Sequence, residues 1–202
     1  MPSVCAAGII GRMLAAMQIT PNYAGAASTM STATANNACM PDSSLRLLWI
    51  SVLVIVLDQI SKAVAQAWLP LHRIVDVIPG FDWYLTYNTG AAFSFLADAG
   101  GWQRWFFTIM TIVISAVILF WIKQVPKDEK MTAVSLCLIL GGALGNLIDR
   151  IYLGYVIDYI QVWLGSYPWP AFNIADAAIF VGATILILSS FIGSEKPASK
   201  QN

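Results

Sequence analysis

Four long apolar stretches constrain this chain more than any other feature. Residues 105–122, 131–148 and 177–192 contain no Asp, Glu, Lys or Arg, and residues 47–69 carry only Asp58 and Lys62. A helix of about 20 apolar residues crosses the hydrocarbon core of a bilayer, so each stretch is long enough, or nearly so, to span. Composition agrees: 58% of the 202 residues are hydrophobic and 11% are charged, where a soluble domain carries about 25%. Mean hydropathy is +0.69. Too few polar side chains remain to cover a globule, and lipid is the solvent that accommodates the surplus. The formal net charge is zero, with no basic block, which argues against nucleic acid as a partner. Three scattered cysteines (Cys5, Cys39, Cys137) and one histidine (His72), without C-x-x-C or H-E-x-x-H, argue against a disulfide framework, a thiolate metal site and zinc proteolysis. A metal centre built on these residues is therefore not expected.

The predicted organisation is a four-helix membrane bundle, all-α apart from a small sheet, with spans near 47–69, 105–122, 131–150 and 174–192 of a domain covering 45–194. Residues 195–202 form a tail. Residues 1–44 are rich in Ala, Ser, Thr, Met and Asn and are expected to be disordered. Their Cys5–Met17 stretch resembles a weak targeting segment broken by Arg12. Met40 offers an alternative start that leads straight into the first span. Basic residues set the orientation. Arg12 and Arg46 precede span one; Lys123, Lys127 and Lys130 lie between spans two and three; Lys196 and Lys200 follow span four. Lys62, Arg73, Arg104 and Arg150 fall on the other side. Both termini are therefore expected in the cytoplasm.

The two connections on the opposite side have strand character. Pro79-Gly80 suits the centre of a type II turn. After it Phe81, Trp83, Leu85 and Tyr87 alternate with Asp82, Tyr84, Thr86 and Asn88, the period of a half-buried strand. Residues 155–163 alternate in part, placing Val156, Asp158, Ile160 and Val162 on one side. Tyr152, Tyr155, Tyr159, Trp163, Tyr167, Trp169 and Phe172 add the aromatic density of the headgroup zone. A small extracytoplasmic sheet over the helix ends is the expectation. Gly90 and the pair Gly100-Gly101 suggest a mobile flap.

An ion near the bilayer centre costs about 2.5–3.5 kcal/mol even on mild scales, so each needs a partner or a task. Asp58 and Lys62 stand four apart, acid first, the favourable order for a helical pair, and read best as architecture. Gly141-Gly142-Ala143-Leu144-Gly145 allows close helix approach. Beyond it Asn146, Asp149 and Arg150 share a face, with Asp149 expected to pair with Arg150. Asp158 and Asp176 differ, since neither has a basic residue within four positions. Brought together, two such carboxylates share a proton and their pKa values separate, which suits general acid–base hydrolysis. Spacing alone does not bring them together. A proton-coupled transporter or a membrane scaffold using intramembrane acids is the alternative. The first would distribute acids through the membrane depth, and the second gives no reason for Asp158 and Asp176.

Five ordered motifs add a resemblance. Asp58-Gln59-Ile60-Ser61-Lys62, Asn88-Thr89-Gly90-Ala91-Ala92-Phe93-Ser94, Gly141 to Arg150, Gly154-Tyr155-Val156-Ile157-Asp158-Tyr159 and Phe172-Asn173-Ile174-Ala175-Asp176 resemble the pattern of bacterial type II (lipoprotein) signal peptidases over roughly residues 45–192. The resemblance implies an aspartic endopeptidase of the bacterial inner membrane, with its active site at the extracytoplasmic face. Its substrates would be diacylglyceryl-modified prolipoproteins, cut before the lipidated cysteine. It also implies that Asp158 and Asp176 are catalytic. Asn88, Asn146, Asp149, Arg150 and Asn173 would shape the site, and Asp58 and Lys62 would support it. Membrane lipid and cyclic peptide antibiotics of the globomycin type are the further partners implied, and the resemblance implies neither a metal nor an organic cofactor.

Overall fold

The computed structural model describes residues 44–90 and 102–193. The N-terminal extension, the tail after 193, Ala91 to Ser94 and the Gly100-Gly101 pair lie outside these residues.

A 3-10 turn, Ser44–Leu47, leads into α1 (Leu48–Trp68). Pro70 ends that helix: the residue before a proline is pushed out of helical geometry, and Leu69 is extended at φ −99°, ψ 138°. The hairpin β1 (Ile74–Ile78) and β2 (Phe81–Asn88) follows. Gly80 takes φ +89° in its turn, as the second central position of a type II turn requires. Helices α2 (Trp102–Gln124) and α3 (Lys130–Tyr152) come next, then β3 (Val156–Leu164), β4 (Tyr167–Pro168) and α4 (Ile174–Gly193). Four helices are thus long and apolar enough to cross a membrane.

Helix α3 is the hub. Of its most apolar window 61% is buried, against 22%, 22% and 11% for α1, α2 and α4. The reason is steric. A Cβ added to Gly142 would run into the Ala175 backbone carbonyl of α4, and one on Gly145 would lie 2.7 Å from the Asp58 carboxylate of α1. Bare backbone at these turns lets both neighbours approach, which lipid-solvated helices exploit because apolar burial gives them no drive to associate. The contact of α2 with α3 is apolar: Ile118 and Ile122 of α2, with Val125 just beyond its end, pack with Ala133, Leu136, Cys137 and Leu140.

All four strands form one antiparallel sheet in the order β1-β2-β3-β4. Ala65, near the end of α1, packs with Leu85, Ile157 and Tyr159, which seats the sheet over that helix end. Strict alternation fails in two places. The register of β2 on β3 shifts between Trp83 and Thr86, and Asp82 is buried because the Trp163 indole N–H donates to it at 2.6 Å. Beyond the shift Thr86 faces Asp158 and Asn88 faces Val156. The first four residues of β3 are buried: Ile157 and Tyr159 pack with Ala65 and Leu85, while Asp158 is held by the Asn88 and Asn173 amides.

Candidate active site

The polar residues of the site come from the helix ends beneath the sheet and, for Asn88 and Asp158, from β2 and β3 of the sheet itself. Lys62 is the centre of the lower layer. Its ammonium, 1% exposed as a residue, lies 2.8 Å from Asp58 Oδ2, 2.8 Å from Asp149 Oδ2 and 3.0 Å from Asn146 Oδ1. Three donors thus meet three acceptors, the condition under which a buried ion is tolerated. Asp58 has a second duty: its Oδ1 accepts the Ala175 N–H at 3.0 Å, one of the orphan donors in the first turn of α4. Asp149 Oδ2 also accepts the Ile157 N–H at 3.2 Å, tying α3 to β3.

Asp149 therefore pairs with Lys62 from another helix, and the expected pairing with Arg150 is replaced. Adjacent residues on a helix point about 100° apart, so with Asp149 turned inward Arg150 swings to the side. There it is half-buried, with its guanidinium 5.7 Å from the Phe107 ring centroid.

Asp158 and Asp176 form an upper layer with different neighbours. Three asparagine amides surround them, and each amide is oriented by what its oxygen accepts. Asn88 Oδ1 accepts the Gly90 N–H at 3.0 Å, so its Nδ2 donates to Asp158 Oδ2 at 3.1 Å. Asn146 Oδ1 is taken by Lys62, so its Nδ2 donates to Asp176 Oδ1 at 2.8 Å. Asn173 Oδ1 accepts the Asp176 N–H at 2.9 Å, so its Nδ2 turns toward Asp158 Oδ1 at 2.7 Å, shared with Asn146 Oδ1 and the Ile157 carbonyl. The Asn173 backbone N–H in turn donates to Asp176 Oδ2 at 3.2 Å. Asn173 and Asp176 thus make a reciprocal capping box on α4. One residue holds a carboxylate oxygen of each acid.

Burial first, and then the nearby charge of Asp176, push the Asp158 carboxyl up to about 7, against the opposing effect of the Asn88 and Asn173 donors. A carboxyl near 7 is half protonated at neutral pH, the condition in which it can give or take a proton. Among the described residues no group of three or more His, Cys, Asp or Glu could hold a metal ion.

All nine residues singled out from sequence lie at this end of the molecule, and eight join the two layers; Arg150 stands at their edge. Two participants were missed. Gln59 donates to Asp149 Oδ1 at 2.9 Å and to the Gly145 carbonyl at 3.2 Å, and its place beside Asp58 was the available signal. Arg104 donates to the carbonyls of Arg150 and Ile151 at 2.9 and 2.8 Å. In the sequence it counted only as an orientation cue.

Four membrane-length helices around a buried layer of acids and amides define a multi-pass membrane enzyme. The chain belongs to the signal peptidase II family, whose model, "Signal peptidase (SPase) II", matches residues 50–192. It is similar to the lipoprotein signal peptidase of Pseudomonas paraeruginosa, with 58% identity over 146 residues, 71% of this chain and 86% of that protein. Its likeness to the lipoprotein signal peptidase of Alteromonas mediterranea is 50% over 159 residues, 79% and 87% of the two chains. A solved bacterial membrane enzyme, determined by the in meso method at 2.3 Å, superposes with a TM-score of 0.69 at 28% identity, covering 78% of this chain and 94% of that one. The family makes this chain a protease and leaves the transporter and scaffold readings without support.

Proposed function

We propose that this protease is an aspartic endopeptidase that uses Asp158 and Asp176 to cut diacylglyceryl-modified prolipoproteins before the lipidated cysteine. Lipoprotein precursors are the substrate class of the relatives named above. The observation that carries the aspartic reading is Asn173, which binds one carboxylate oxygen of each acid. Lys62 neutralises Asp58 and Asp149 but makes no ion pair with Asp158 or Asp176 among the described residues, so two acids are structural and two are left for chemistry.

The proposed reaction follows from that division. Asp158, pushed up to about 7, carries its proton in about half of the molecules at neutral pH and in that form serves as the acid. Asp176, in the first turn of α4 and receiving the Asn146 and Asn173 N–H groups, is the base. Asp176 takes a proton from water as the water oxygen bonds to the scissile carbonyl carbon, while Asp158 protonates the carbonyl oxygen. The tetrahedral diol then collapses: Asp176 passes the proton it took from water to the scissile nitrogen, the C–N bond breaks, and Asp158 takes a proton back from a diol hydroxyl as the carboxylic acid product forms. No step needs a metal.

In this reading the termini face the cytoplasm, the bilayer is the bacterial inner membrane and the sheet covers the extracytoplasmic ends of the helices. The distribution of Lys and Arg supports that orientation. The exposed Trp68, Tyr152, Tyr167 and Trp169 suit the interfacial zone, where a substrate anchored by acyl chains in the outer leaflet presents its backbone to water and to the acids. Cyclic peptide antibiotics of the globomycin type would compete for the same place. The test is to incubate purified protein with lipidated and unlipidated forms of one precursor and follow their size. The reading expects cleavage of the lipidated form only, blocked by globomycin; equal cleavage of both forms would remove lipid from the recognition.

A further inference from the structure

Arg104 stands in the first turn of α2, where a cation is poorly placed on its own helix because the N-terminal end of the helix dipole is positive. Its guanidinium lies instead at the C-terminus of α3, the favourable end. Nε donates to the Arg150 carbonyl at 2.9 Å and Nη2 to the Ile151 carbonyl at 2.8 Å. Both belong to the last turn of α3, where carbonyls lack intrahelical partners. The Asp149 carbonyl is taken by the Leu153 and Gly154 N–H groups at 2.7 and 3.2 Å. Arg104 therefore completes the end of α3 with a planar fork that one ammonium could not reproduce.

The same fork packs on the corner into β3. Gly154 turns the chain at φ +88°, and a Cβ added there would lie 3.1 Å from Arg104 Nη1. This corner separates the two halves of the acid site along the chain. Asn146 and Asp149 precede it on α3, and Asp158 follows it four residues after Gly154. The Asp149–Ile157 bond closes the loop from the other side.

We propose that Arg104 is a positioning residue for the reaction: by clamping the last turn of α3 against Gly154, it fixes Asp158 relative to the α3 groups Asn146 and Asp149. It touches no reacting atom, and the proposal rests on Asp158 being one of the reacting acids. Small displacements of reacting groups cost large factors in rate, so losing the clamp lowers turnover more than substrate binding.

The experiment measures kcat, KM and thermal unfolding for Arg104→Lys, Arg104→Ala, Gly154→Ala and the double variant Arg104→Ala/Gly154→Ala, with Asp158→Asn as the reference. The expected result is a kcat loss of about tenfold or more in Arg104→Ala with KM within about threefold. Arg104→Lys should recover part of that loss, and the two corner substitutions should be less than additive in kcat because they damage one contact. A lowered unfolding temperature with unchanged kcat would overturn the proposal, as would a rise confined to KM or full additivity. If Arg104→Ala does not fold, Arg104→Lys and Gly154→Ala carry the same comparison. An active Asp158→Asn would instead sink the acid-pair reading, while an inactive one beside unimpaired Arg104 variants would sink only the clamp.

Discussion

Asn173 holds both acids, but through different groups: its side-chain amide reaches Asp158 and its backbone N–H reaches Asp176. The contrast with Lys62 divides the four acids. Asp58 and Asp149 are buried beside a cation, whereas Asp158 is buried among amides and raised to about 7. An acid with a folded pKa above its ordinary value of 3.8 binds its proton more tightly in the native state. Its contribution to stability is therefore full below about pH 4 and lost as pH rises through about 7. Catalysis has the same sign if Asp158 is the acid: kcat/KM should fall with rising pH above about 7, towards tenfold per unit. A profile flat to pH 9 would deny Asp158 that role. Lys62 gives a separate prediction. Lys62→Met leaves two carboxylates buried without their cation, which should cost about 3–5 kcal/mol and lower the unfolding temperature in detergent. Unchanged unfolding would show that the pair of bridges is not architectural.

Elements bring these residues together by their ends. The first turn of α4 is capped three ways: Asp58 takes the Ala175 N–H, Asn173 takes the Asp176 N–H, and Asp176 returns to the Asn173 N–H. A proposed catalytic acid is thus also part of a helix cap, so its backbone position is set by secondary structure. The motif Asn173-x-x-Asp176 is legible in the sequence as a cap, and the spans are legible because long apolar runs, two of them charge-free over 18 residues, have few alternatives. Partners across helices were less legible. Asp149 chose Lys62, 87 positions away, over its neighbour Arg150, because only the fold decides which face of α3 turns inward. Gln59 and Arg104 escaped for the same reason, since their contacts are with carbonyls and carboxylates of another helix. Small residues at that interface are open to test. Gly142→Leu places a branched side chain where the Ala175 backbone lies and should destabilise by about 1–3 kcal/mol, with loss of activity because α4 carries Asp176. Wild-type activity and unfolding in this variant would mean that α4 does not pack closely on α3.

At the scale of the whole molecule, the apolar helices and the sheet bracket one polar site. Charge asymmetry in the sequence supplies an orientation, and the strand signals around Pro79-Gly80 supply a sheet. Neither reveals that the β2–β3 register places Thr86 opposite Asp158 with Asn88 in reach of it. That pairing is long-range, and a register shift between Trp83 and Thr86 breaks the period from which it could have been read. The proposed topology is checked with reporter fusions after Asn202: a fluorescent protein that matures only in the cytoplasm should light up, and an exported phosphatase should stay inactive. The reverse pattern would put the sheet on the cytoplasmic side. The central claim is that Asp158 and Asp176 together perform the hydrolysis. Its most direct test is turnover of a diacylglyceryl-modified prolipoprotein by purified wild type, Asp158→Asn and Asp176→Asn, each with normal unfolding. We predict that either substitution lowers kcat by about 10³-fold or more; wild-type turnover in either folded variant would contradict the account.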